Sequence, residues 1–224
     1  MAQYLEMKRN HPDAMLFFRM GDFYELFFDD AILAGQALGI TQTFRGQHNG
    51  QPIPMAGVPY HAAEGYLARL IKAGYRVAVC EQTEDPAEAK KRGSKAVVRR
   101  EIVRVVTPGT ITEESLLEAR SANSLAAIGI GGGGREAALA IADVSTGRFE
   151  VFSLASNVLE DVLSAVGPRE VLVADSVMSH ADVARAVQGL TLTPRPDARA
   201  DAKIGERLMK AAFGVSTLDG FGTF

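Results

Sequence analysis

Residues 14–18, Ala-Met-Leu-Phe-Phe, form an unbroken apolar run of strand length, which predicts a buried strand. A short helix over 3–10 precedes it and stops before Pro12, because the residue ahead of a proline avoids helical backbone. The spacing then changes. Phe27, Phe28, Ala31, Ile32, Gly35 and Leu38 recur at helical intervals, predicting a helix over 23–38. In that reading Gly21 turns the chain, Asp22 caps the helix and Gly39 ends it. Residues 40–60 read as strand and loop, since Pro52, Pro54 and Pro59 exclude helix. Ala63, Tyr66, Leu67, Leu70 and Ile71 share one face of a second helix over 61–73, with Gly74 as its stop. Val and Ile content makes 75–80 and 96–106 strands. Alternating strands and helices predict a mixed α/β domain with a covered sheet.

The second half has a different rhythm. Residues 124–130, 137–144 and 148–153 are consecutive β segments joined by short Gly-containing turns, the pattern of an antiparallel meander. A helix over 157–166 stops at Gly167-Pro168, and 170–174 forms a fourth strand with a Val-Leu-Val centre. Further helices fit 179–187 and 198–212. Three antiparallel strands, a helix and another strand open the ribonuclease-H-like α/β fold. That fold needs at least one more strand and helix, and the sequence ends at Phe221-Gly222-Thr223-Phe224 with no closing element in this reading, so the second domain is expected to be truncated.

Charge and aromatic content locate the division. Residues 1–107 hold 14 basic and 12 acidic side chains, net +2, while residues 108–224 hold 10 and 15, net −5. All five tyrosines and six of the eleven phenylalanines precede residue 108. The Pro-Gly break at Thr107-Pro108-Gly109-Thr110 therefore marks the start of a linker over 108–122, between a domain at 1–107 and another at 123–224. Within the linker, 111–123 is polar and helix-compatible. The chain has 224 residues, 47% of them hydrophobic and 23% charged, which excludes wholesale disorder. No apolar stretch approaches the ~18 residues of a membrane span. No basic segment leads into an apolar run at the N-terminus, so a cytoplasmic chain is expected.

Several chemistries are missing. No Gly-Lys dipeptide occurs, hence no phosphate-binding loop of the Walker type. The histidines at 11, 48, 61 and 180 are scattered, so no metal site is expected. Cys80 lies in an apolar Val-Ala-Val-Cys strand and reads as core rather than nucleophile. A two-metal nuclease on the second domain would need carboxylates on its first strand, first helix and fourth strand. Asp143, Glu160, Asp161 and Asp175 are available, but 124–130 carries no acid, which weighs against that chemistry.

Two features of the first half point to nucleic acid. Residues 90–104 contain Lys90, Lys91, Arg92, Lys95, Arg99, Arg100 and Arg104 against Glu101, net +6, which attracts phosphates or simply forms a solvated loop. The other is Gly21-Asp22-Phe23-Tyr24-Glu25-Leu26-Phe27-Phe28. Asp22-x-x-Glu25 has capping-box spacing, so Glu25 can serve the helix start while Phe23 packs beneath it. Alternatively, an exposed Phe23 acts as an apolar wedge between base steps. A carboxylate at 25 then makes sense only if it reads a base edge, because phosphates repel it: ionised it can accept a thymine or guanine ring N–H, and protonated it can donate to a purine N7.

The segment 21–28 closely resembles the mismatch-recognition motif of the MutS family of DNA mismatch repair proteins. So do Pro52-Ile53-Pro54-Met55-Ala56-Gly57-Val58-Pro59-Tyr60-His61-Ala62, Val79-Cys80-Glu81-Gln82, and Val103-Arg104-Val105-Val106-Thr107-Pro108-Gly109-Thr110. Asp143-Val144-Ser145-Thr146-Gly147-Arg148-Phe149 and Phe221-Gly222 continue the series in the family's order across nearly the whole chain. The resemblance implies a mismatch-binding domain over 1–107, followed by most of a ribonuclease-H-like connector domain that is not a nuclease. Phe23 and Glu25 fall on the family's Phe-x-Glu positions, which implies that Phe23 stacks on the mispaired base from the minor groove while Glu25 hydrogen-bonds it. Arg45 and Met55 match DNA-facing loops and are further candidates for backbone and minor-groove contact. Mismatched double-stranded DNA and a MutL-type protein are the implied partners. ATP, magnesium and homodimerisation belong to parts of the intact protein outside these residues, so no enzyme activity and no cofactor are expected here, and the intact protein is expected to be cytoplasmic and nucleoid-associated. The rival readings are a metal-dependent nuclease and a pure interaction module.

Overall fold

A computed structural model describes residues 1–93, 96–112, 117 and 122–222. The chain divides into two compact units, Met1–Pro108 and Gly109–Phe224. Most of the linker expected over 108–122, including much of its helix-compatible stretch, lies outside the described residues. Among the described residues no helix is long and apolar enough to cross a membrane.

The first unit contains helices α1 (Ala2–Asn10), α2 (Asp29–Leu38), α3 (Ala63–Lys72) and α4 (Pro86–Lys91). Its strands are β1 (Met15–Met20), β2 (Phe23–Phe27), β3 (Thr43–His48), β4 (Gln51–Pro59), β5 (Val77–Gln82) and β6 (Arg100–Val106). They form one sheet in the order β3-β4-β2-β1-β5-β6, with β1 and β5 parallel and every other pair antiparallel. Alternation along the strands sorts side chains onto two faces. Leu16, Phe18, Phe27, Ile53, Ala78 and Cys80 pack against Tyr4 of α1. Phe17, Leu26, Val58 and Val77 are buried on the other face, where α2 and α3 cross the sheet. Burying a side chain of this size contributes about 1.5–3 kcal/mol, which is why such runs fix strand register. Buried Asp30 ties α1 and α2 to β1, accepting from the Tyr4 hydroxyl at 3.0 Å, the Lys8 ammonium at 2.8 Å and the Leu16 N–H at 3.0 Å. The Cys80 thiol is fully buried, 3.2 Å from the Met7 sulfur, and burial pushes its pKa up to about 12.

One expectation needs correction here. Residues 23–27 are not the start of a helix but strand β2, joined to β1 by a two-residue hairpin with Met20 opposite Phe23. Gly21 has φ +60, which a tight hairpin requires at its first central position and which glycine supplies without strain. Tyr24 and Leu26 point inward while Phe23 and Glu25 point outward, a period of two that the helical spacing from Phe27 onward conceals. The helix begins only at Asp29, after Phe28 breaks the strand at φ +54. Asp22 caps nothing; its carbonyl accepts the Tyr60 N–H at 2.8 Å.

The second unit has strands β7 (Ser124–Gly131), β8 (Glu136–Asp143), β9 (Arg148–Ala155), β10 (Glu170–Ala174) and β11 (Leu192–Arg195), in the order β11-β10-β7-β8-β9. The meander β7-β8-β9 is antiparallel, and β10 and β11 run parallel to β7. Helices α5 (Leu159–Val166) and α6 (Ala181–Ala186) bring Leu159, Leu163, Val183 and Ala186 to the core of Leu139, Ile141, Val171 and Val173. A strand absent from the sequence reading, β11, is present, and α7 (Ala202–Phe213) follows it, capped by the Asp201 carboxylate. β11 is four residues long and contains Pro194, which is tolerated because the strand lies at the sheet edge. Gly109 belongs to this unit: its N–H donates to Glu170 at 3.1 Å, and a side chain there would meet Glu170 and Leu125 at 2.9 Å.

Candidate nucleic-acid interface

The β1–β2 hairpin carries the site. Alternation places Phe23 and Glu25 on one face and Arg19 and Tyr24 on the other, and the second pair stiffens the turn. The Arg19 Nε donates to the Gly21 carbonyl at 2.5 Å, and its guanidinium lies 3.4 Å from the centre of the Tyr60 ring. The Tyr24 hydroxyl donates to Glu81, and burial together with that carboxylate raises its pKa. β4 closes the other flank, with Phe23 opposite Pro59 and Glu25 opposite Gly57. A Cβ on Gly57 would lie 3.8 Å from the Phe23 ring, so the aromatic side chain rests along bare backbone there.

Phe23 remains 47% exposed on this braced strand end. Two residues along the same face, Glu25 is held by Arg45, whose Nη1 donates to both carboxylate oxygens at 2.6 Å. Arg100 approaches from β6 and interacts electrostatically with Glu25. Its own geometry is fixed: Nε donates to the Arg19 carbonyl at 2.6 Å, Nη1 donates to the Val98 carbonyl at 2.8 Å, and the guanidinium sits 5.1 Å from the Phe18 ring centre. Burial lowers the Arg100 pKa. Alongside lies a cavity of about 550 Å³ lined by Tyr4, Phe18, Phe27, Ile53, Arg45 and Arg100, among others.

The structure thus brings three of the four sequence candidates together. Phe23 and Glu25 share a strand face, and Arg45 reaches Glu25 from the far side of β4. Met55 lies opposite Phe27 and is partly buried against the Tyr4 cluster, so its side chain packs into the sheet rather than standing free beside Phe23. Arg100 is the residue that sequence reasoning missed. It reads as one member of a basic run, and only the β5–β6 pairing carries it to the sheet.

The basic run does not act as one stripe. Arg92 makes paired contacts to Glu84, and this guanidinium holds the Glu84 carboxyl down to about 2. Lys91 pairs with Glu88, and Arg100 turns inward. Residue 95 lies outside the described set.

Two of the candidate acids of the second unit have partners within the protein. The Asp143 carboxylate is buried and accepts from the Ser145 hydroxyl at 2.6 Å and from the N–H groups of Ser145, Thr146 and Asn123 at 3.0–3.3 Å. The Ser145 hydroxyl is the main reason its pKa is lowered. Glu160 pairs with Arg185 at 3.1 Å, and Asp175 is exposed. Among the described residues no group of three His, Cys, Asp or Glu side chains is placed to hold a metal ion.

Comparison with known proteins finds two family models along the chain. Residues 1–115 match the family model described as MutS domain I, and residues 123–223 match MutS domain II. The chain is 58% identical over 224 residues to the DNA mismatch repair protein MutS of Caulobacter vibrioides, covering 99% of this chain and 25% of that protein. The MutS of Rhizobium meliloti is 54% identical over 229 aligned positions, covering 100% of this chain and 25% of that protein. The chain therefore spans about a quarter of the length of the curated relatives it matches.

Proposed function

The chain belongs to the MutS family, with matches to its domains I and II, and from that premise we propose that the first unit detects mispaired bases in duplex DNA during mismatch repair. The observation that carries this reading is the half-exposed Phe23 ring on a strand braced by Arg19, Tyr24 and Tyr60. A wedge must keep its shape while the base stack yields, and a two-sided antiparallel pairing provides that stiffness better than a helix tip. Matched pairs resist unstacking, whereas a mispair stacks and pairs poorly. The kink that admits the ring is therefore less costly at a mispair, and deformability becomes the signal. In this reading Glu25 hydrogen-bonds the displaced base, and Arg45 contacts the DNA backbone. Met55, partly buried opposite Phe27, is in this reading a weaker candidate for minor-groove contact.

The second unit serves as the connector. Its strand order supports a ribonuclease-H-like architecture, and the engagement of Asp143 by four donors supports a non-nuclease role. The net charge of −5 over residues 108–224 suits a docking role toward a MutL-type protein. In this reading ATP hydrolysis with magnesium, and homodimerisation, belong to the part of the longer chain that these residues do not cover. The intact protein works in the cytoplasm at the nucleoid.

The deciding experiment compares matched and mispaired duplexes by fluorescence anisotropy, using the full-length protein and its Phe23→Ala variant. The expected result is loss of mispair preference with the fold intact by circular dichroism. Equal preference in variant and parent removes the wedge.

A further inference from the structure

We propose that Arg45 is a releasable counter-ion: it closes over Glu25 on matched DNA and leaves for a phosphate when Glu25 turns to a mispaired base. This inference rests on the reading of Phe23 and Glu25 given above. It makes Arg45 a specificity-determining residue through its partnership with Glu25.

The two cations near Glu25 are held very differently. Arg100 has two backbone carbonyl partners and an aromatic ring under its guanidinium. Arg45 holds Glu25 through a single nitrogen, and among the described residues its guanidinium has no other partner. Its side chain is 51% exposed while that of Glu25 is only 13% exposed, so the acid is tucked in and the base lies outside it. Arg45 also sits where the ladder between β3 and β4 shifts register, between Phe44 and Gln47, next to Gly46 at φ +70. Such a bulge bends its own strand and re-aims a side chain, and on an edge strand the ladder is disrupted only locally. The 550 Å³ cavity adjoining Arg45 gives the guanidinium room to swing.

These features define an exchange. With the pair closed, Glu25 presents no net charge to the phosphates, and a matched duplex gains nothing by opening it, since its base N–H groups are already used in pairing. A mispair leaves a ring N–H available to the carboxylate. Arg45 is then displaced onto a phosphate, while Arg100, fixed by its two carbonyl partners, keeps its electrostatic interaction with Glu25. Breaking the ion pair is offset only at a mispair, so the pair itself discriminates.

The test is the salt dependence of affinity in the full-length protein. Each phosphate neutralised changes the slope of log affinity against log salt by about 0.9. The mispaired duplex is expected to show a slope steeper than the matched duplex by about one such increment. Arg45→Gln is expected to erase that difference and to weaken mispaired binding several-fold, with little change for the matched duplex. Glu25→Gln frees Arg45 for phosphates everywhere, so matched affinity rises and its slope steepens. The double variant loses that gain. Parallel slopes in the unaltered protein, or a matched-duplex gain that survives in the double variant, overturn the exchange. Phe23→Ala separates the two levels. If it leaves mispair preference intact, the reading of the site falls and the exchange with it. If it abolishes preference while the slopes stay parallel, the exchange alone falls.

Discussion

Glu25 and Asp143 are both carboxylates near tight turns between antiparallel strands, and sequence alone offers both as candidates for chemistry. Their surroundings differ in what holds them. Asp143 is buried, and three of its four donors are backbone N–H groups that cannot move without unmaking the turn or the start of β7. Glu25 is held by one long, half-exposed side chain from an edge strand. A carboxylate bonded by backbone is part of the architecture, whereas one bonded by a solvent-facing arginine can change partners. Side-chain identity and position near a turn do not distinguish the two; the nature of the donors does.

The contrast can be broken in graded ways. Asp143→Ala strands buried donors and removes charge-assisted hydrogen bonds, so a loss of about 3 kcal/mol in unfolding free energy is expected by urea denaturation, with duplex binding by the folded protein unchanged. A comparable loss on Glu25→Ala would erase the distinction. Phe23→Ala is expected to weaken mispaired binding by about 1–3 kcal/mol, the range of a lost base–aromatic stack, with a melting temperature close to that of the parent. Glu25→Ala should leave stability within about 1 kcal/mol, because its arginine partner is half-exposed and solvent screens the pair, and raise matched-duplex affinity by releasing Arg45. Unchanged matched binding would count against that release. The smallest effect is on acid stability. The folded-state pKa of Asp143 is depressed, so its contribution is complete above the unfolded aspartate value of about 3.9 and fades as pH falls through the lower folded value. Asp143→Asn should therefore flatten the fall in melting temperature across that acid range; an unchanged profile would remove Asp143 from the acid transition.

Much of the fold is legible in the residues. The run at Met15–Met20, the meander β7-β8-β9 and the Val-Leu-Val centre of β10 announce themselves because burial on one or both faces writes a period of two or a solid apolar block. The β2 strand does not, because the helical spacing of α2 begins at Phe27 and masks the alternation just before it. α4 goes unread although Asp85 caps it and Pro86 occupies its first turn, since a six-residue helix leaves too few apolar positions to show a period. β11 is hidden by its proline. At the site, family motifs point to Phe23, Glu25, Arg45 and Met55, yet no motif shows that Arg45 grips Glu25. That contact spans β4 and depends on a bulge, which is a property of the folded sheet rather than of neighbouring residues. Arg100 is equally silent, because its approach to Glu25 is set by strand order.

Cys80 is the sole cysteine of the chain, fully buried beside Met7, with its thiol pushed up to about 12. At neutral pH it is almost wholly protonated and out of reach of maleimides. A cysteine introduced on the exposed β3 edge would then be the single reactive handle of these 224 residues, so a dye attached there would follow the hairpin's surroundings with no need to delete the native thiol.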